Sequence, residues 1–137
     1  MTARTELILE ATLEPIPAAP ATAVDPVPLQ DRLALVDGLD IRQAMRFVGG
    51  RLPALRRMLD RFVATYELGV GEVDVQIAHS LRGACATAGA TQLQSALVSY
   101  EEAVAAGAAP VELRRQADMI NANLRALCAS LRLELAR

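Results

Sequence analysis

Tryptophan is absent from this 137-residue chain, aromatic residues make up 3% of it, and it holds a single histidine. A β-sandwich core draws on Val, Ile, Thr and aromatic side chains. A sequence that is 53% hydrophobic and dominated by alanine and leucine points instead to closely packed helices. Excess positive charge is also missing. The formal net charge is −2, which removes the electrostatic case for nucleic acid, and the scattered arginines read as a solvated face. No apolar run approaches the roughly 18 residues that a membrane span needs, so no membrane contact is expected from this segment. A basic start followed by a long apolar stretch and a small-residue cleavage site is lacking as well, which argues against export. The two cysteines, Cys85 and Cys128, fall on apolar helical positions and read as reduced core residues of a cytoplasmic protein.

What is present is helical punctuation. Residues 1–30 read as a leader or linker, mostly extended or mobile, because "EPIPAAPATAVDPVP" places five of the seven prolines in residues 14–28. Ahead of it, "ELILEATLE" (residues 6–14) is apolar enough to dock as a helical turn or two. Residues 31–137 then suffice for one domain with a single modest core. Asp40 with Gln43 fits a capping box ahead of a short helix that Gly49 and Gly50 end. Pro53 suits a first helical position, and Leu55, Leu59, Phe62 and Tyr66 follow at helical spacing. After a turn at Gly69 and Gly71, a third helix is expected from about Glu72 to Ala88, broken by Gly89. Thr91 with Gln94 forms a second capping box for a helix carrying Leu93, Leu97, Tyr100 and Val104. Pro110 opens the last helix, whose Leu113, Ala117, Ile120, Leu124, Leu127 and Leu131 alternate at intervals of three and four. The expected fold is all-α: an antiparallel four-helix bundle with a short extra N-terminal helix and a Pro/Ala-rich leader.

The histidine lies in "AHSLRGACATAGA", residues 78–90. With Ile77 at zero and about 100° per residue, Ile77, Leu81, Ala84, Cys85 and Ala88 share an inward face, while His79 falls at about 200°. Around it on the outer face lie Val75, Arg82, Gly83 and Ala86, at about 140° to 240°. A glycine inside a helix costs about 1 kcal/mol relative to alanine, and here its missing side chain would leave room for another protein to approach the ring. Metal binding needs further ligands, and neither cysteine shares this face, so no metal is expected. Ser80 points about 100° away, which leaves no nucleophile–base pair for hydrolysis. A free imidazole titrates near about pH 6.5, so it is mostly neutral and nucleophilic in the cytoplasm. With access and a cation beside it, such a ring can take a phosphoryl group as a phosphoramidate.

At these residues the chain resembles the histidine-containing phosphotransfer (HPt) domains of bacterial phosphorelays. The family pattern His-x-Leu-Lys-Gly, followed by small residues and then Gly-Ala, reads here as His79-Ser80-Leu81-Arg82-Gly83 with Gly89-Ala90. "GLDIRQAMRFVGGRLPALRRMLDRF", residues 38–62, resembles the family's Gly-Leu-Asp, Gly-Gly and Leu-Leu-x-x-Phe segment, and the likeness extends over about residues 38–130. Arg82 stands for the commoner lysine, Thr87 for a frequent asparagine, and Arg51 for an acidic or amide residue. Between Phe62 and His79 the chain has about ten fewer residues than typical members, about three helical turns less across the second and third helices.

The resemblance implies a phosphocarrier. A response-regulator receiver domain carrying phosphoaspartate would dock over His79, pass its phosphoryl group to the imidazole, and a second receiver would take it up. Arg82 would offset phosphate charge; Gly83, Ala86 and Val75 would form the access and docking surface. Glu101 would orient the imidazole, although an amide is more usual at its place. No cofactor is expected on this chain, and Mg²⁺ is expected on the partner receiver. With no phosphate-binding loop, independent turnover from ATP is not expected. The Pro/Ala-rich leader and the family leaning suggest the C-terminal part of a hybrid histidine kinase, with a kinase partner in cis or in trans. The alternative, prompted by the short hairpin, is an HPt-like four-helix interaction module that binds a receiver or kinase without phosphotransfer.

Overall fold

The computed structural model describes residues 27–137. The "ELILEATLE" stretch and nearly all of the proline-rich leader lie outside the described residues. Within them the chain is helical, with no strand: α1 (Leu29–Leu33), α2 (Ile41–Phe47), α3 (Leu52–Tyr66), α4 (Val75–Ala88), α5 (Thr91–Ala105) and α6 (Pro110–Leu135). Among the described residues the first helix opens at Leu29, within the last two positions of the segment expected to be a leader. Leu29 and Leu33, one helical turn apart, are both buried. Arg32 then clamps α1 to α6, its Nε donating to Glu134 Oε1 at 3.0 Å and its Nη2 to the Glu134 carbonyl at 2.8 Å.

The four long helices meet in a ring: α3 packs on α4, α4 on α5, α5 on α6, and α6 on α3. Leu55 and Leu59 of α3, Leu81 of α4, Leu97 of α5, and Leu124 and Leu131 of α6 are almost entirely shielded from water. Each such leucine contributes about 1.5–3 kcal/mol on burial, which is why the interior is aliphatic with few rings. Phe62 and Tyr66 supply a tilted aromatic pair, centroids 5.0 Å apart, at the edge of that core. No helix among the described residues is long and apolar enough to cross a membrane.

Three local expectations change. Asp40 caps α2, accepting from the amides of Arg42 and Gln43 at 3.1 and 3.3 Å, but Gln43 does not close the capping box. Its Nε2 donates instead to the Ala86 carbonyl of α4 at 2.8 Å, and the Asp40 amide donates to the Gly89 carbonyl at 2.6 Å. The reciprocal half of the box has been exchanged for tertiary bonds that fasten α2 to the end of α4. The box expected at Thr91 and Gln94 is also absent. Thr91 is the first helical residue, and buried Ala90 precedes it with no side-chain cap. Finally, α4 starts at Val75 rather than near Glu72, because the Asp74 carboxylate accepts from the Ile77 amide at 2.8 Å and fixes the start there.

The short connection between α3 and α4 is held from outside. Asn121, the one buried polar side chain among the described residues, accepts from the Val70 amide at 2.8 Å and donates to the Gly71 carbonyl at 2.7 Å. The Tyr100 hydroxyl donates to the Val73 carbonyl at 2.9 Å. Backbone groups that a longer hairpin would pair within itself are satisfied by α5 and α6.

Candidate functional site

The buried stripe of α4 is Ala78, Leu81, Cys85 and Ala88. Ile77 and Ala84, expected inside, are half-buried, so the inward face is turned toward Ala78. The reason lies in uneven packing, since a groove opens between α3 and α4 and Ala84 lines it. His79 stays on the outer side, with its side chain 70% exposed. Val75, one turn before it, is 50% exposed, and Ala86 is half-buried with its carbonyl engaged by Gln43.

Gly83 sits one turn after His79 in ordinary helical geometry. A Cβ built there would meet no heavy atom within 4 Å, so nothing in the fold requires glycine at this position. The absent side chain leaves open surface beside the imidazole. Thr87, the next turn along, back-bonds its hydroxyl to the Gly83 carbonyl at 3.2 Å and forms the rim between this surface and the groove.

Arg82 and Glu101 both approach the same ring nitrogen. Arg82 Nη2 lies 3.2 Å from His79 Nδ1, and Glu101 Oε2, projecting from α5, lies 3.7 Å from it. Arg82 Nε is 2.9 Å from Glu101 Oε1, yet its N–H finds no aligned acceptor; the contact is an ion pair and not a formed hydrogen bond. The guanidinium and carboxylate are 35% and 22% exposed. The structure thus brings together His79, Arg82 and Glu101, with Gly83 flanking them. The second edge of the ring, bearing Nε2, has no hydrogen-bond partner among the described residues.

The thiols take no part in this site. Burial, with a smaller contribution from Cys128, pushes Cys85 up to about 12, and burial likewise raises Cys128 to about 11. Both are free, buried thiols, protonated at neutral pH. Among the described residues no group of three or more His, Cys, Asp and Glu side chains gathers as a metal-ligand set.

One feature was not anticipated from the sequence. The groove between α3 and α4 has a volume of about 500 Å³ and is lined by Ala54, Met58, Phe62 and Ala84, with Arg57 and Arg61 at its edge. Residues 41–61 carry six arginines and one aspartate, a local basic bias that the overall charge of −2 conceals. A count by segment would have exposed it; its position beside the histidine helix depends on packing.

No protein-family model, no curated protein and no solved structure matches this chain.

Proposed function

We propose that this chain is a histidine phosphotransfer module, an antiparallel four-helix bundle of α3–α6 that carries a phosphoryl group on His79 between receiver domains. The observation that carries this reading is the exposed, single histidine on the outer face of α4, with open space at Gly83 and a cation three residues on. Short links between the long helices favour antiparallel neighbours.

In the forward step, the Nε2 lone pair attacks the phosphorus of a receiver's phosphoaspartate in line. The P–N bond forms as the P–O bond breaks, and the aspartate leaves as a carboxylate on the receiver. Most of the charge stabilisation would belong to the receiver, whose Mg²⁺ would neutralise phosphoryl oxygens. This chain contributes a positioned nucleophile and an approach surface. The phosphorylated ring is left with a proton on Nδ1, and Glu101 Oε2, 3.7 Å away, would accept a hydrogen bond from it after a small approach. Arg57 and Arg61, exposed and without an acidic partner among the described residues, offer a basic edge to an acidic receiver.

A phosphorylated receiver is expected to label the wild-type chain with acid-labile, base-stable phosphate. His79→Gln should take up none. Label that survives this substitution places the chemistry elsewhere. The second reading, a module that binds a receiver without transfer, is favoured by one contact: Arg82 on Nδ1 leaves the exposed nitrogen protonated. Receiver binding by the wild type without label would establish that reading.

A further inference from the structure

The contact between Arg82 and His79 has a consequence for reactivity. A guanidinium only donates hydrogen bonds and stays charged, so at 3.2 Å from Nη2 the Nδ1 atom must be the acceptor. A neutral imidazole carries one proton, which then resides on Nε2. The nitrogen facing solvent is an N–H and not a nucleophile. A carboxylate only accepts, so a contact between Glu101 and Nδ1 would impose the other tautomer, with the proton on Nδ1 and the lone pair on Nε2. Oε2 lies 3.7 Å away, just outside hydrogen-bonding range. The two neighbours therefore demand opposite proton positions, and the one in contact is the unproductive one.

A second observation shows that the resting arrangement is incompletely satisfied. Arg82 Nε is buried and lacks an aligned acceptor although Glu101 Oε1 is 2.9 Å away. A buried unpaired donor carries a desolvation penalty, so the guanidinium gains by moving to an acceptor that can use the whole fork. Phosphoryl oxygens are such acceptors.

We propose that Arg82 is a tautomer latch: it holds the His79 proton on Nε2 until an arriving phosphoryl anion draws the guanidinium away and Glu101 takes over Nδ1. This rests on the phosphotransfer reading and adds a control to it. The proton count is unchanged through the switch. Nε2–H is released to water, Nδ1 takes a proton from water, and the ring is exposed enough for both exchanges. Arg82 and Glu101 are positioning residues, on α4 and α5 respectively.

The test uses the full chain labelled with ¹⁵N, whose single histidine gives one unambiguous pair of ring signals. At about pH 8.5, above the range in which histidine ordinarily titrates, two-bond couplings to the ring protons report the tautomer ratio. Wild type is expected to favour Nε2–H. Because free imidazoles lean the same way, the decisive readout is the change in Arg82→Met. The ratio should move toward Nδ1–H by about fivefold, the population shift that one hydrogen bond of ordinary net strength sets. The double variant Arg82→Met/Glu101→Ala should lose that shift. In wild type, inorganic phosphate should move the ratio in the same direction, against chloride at equal ionic strength. Diethyl pyrocarbonate, a neutral electrophile, should modify Arg82→Met faster than wild type. Circular dichroism checks that the variants are folded, and Arg82→Gln serves if the methionine variant is not.

A ratio indifferent to Arg82 overturns the latch even if phosphate transfer is found. A ratio that phosphate leaves unmoved overturns its release by anions. A clean tautomer switch in a chain that no phosphorylated receiver labels upholds the latch chemistry and overturns the transfer reading.

Discussion

At the scale of single residues, Gly83 separates a requirement of the fold from a requirement of the surface. Its backbone is ordinary helix and its missing Cβ would touch nothing, so alanine fits without strain. Gly83→Ala is expected to stabilise the protein by about 0.5–1 kcal/mol in denaturant titration, through helix propensity alone. Gly83→Trp should leave the helical circular dichroism intact and, under the phosphotransfer proposal, slow phosphate uptake at least tenfold, an amount equivalent to about 1.4 kcal/mol of barrier. Transfer that tolerates tryptophan would show that no partner closes over this surface. The position of His79 relative to solvent was legible from helical angles, since they depend on local geometry only. Which ring nitrogen meets Arg82 was not. The distance depends on rotamers of two long side chains and on where α5 places Glu101.

At the scale of elements, the turn between α4 and α5 carries more of the fold than its length suggests. Gly89 has φ +78°, and a Cβ there would overlap the carbonyl oxygen of Asp40, the N-cap of α2, whose amide donates to the Gly89 carbonyl. Gly89→Ala therefore combines left-handed strain of about 1–2 kcal/mol with a steric clash against backbone. It is expected to destabilise by more than about 2 kcal/mol, read as a lower urea midpoint. A loss below about 0.5 kcal/mol would mean that the turn can relax away from α2. Helix existence was readable from glycine, proline and apolar spacing. Helix starts were less so, because Gln43 and the Gly89–Ala90 turn traded local caps for contacts across the molecule.

At the scale of the whole molecule, the core thiols make stability depend on alkaline pH. Cys85 and Cys128 rise from 9.0 to about 12 and about 11 on folding, so between those limits the unfolded chain loses thiol protons that the native state retains. The unfolded state then binds fewer protons, and stability falls as pH rises from about 9, by up to about 1.4 kcal/mol per pH unit for each thiol. Urea midpoints measured across that range should decline, and the decline should be smaller in Cys85→Ala than in wild type after allowing for its lower starting stability. A flat profile would place the thiols in contact with water.

The amino-acid sequence by itself determined that the described residues are helical, where their long helices run, and which side of α4 carries the histidine. These follow from periodicity and punctuation, which act within a turn or two along the chain. Only the tertiary structure decided the groove between α3 and α4, the pinning of the short connection by Asn121 and Tyr100, and the meeting of Arg82 and Glu101 at one nitrogen. Those features join residues distant in sequence, and their distances are set by how whole helices pack, which no local pattern encodes.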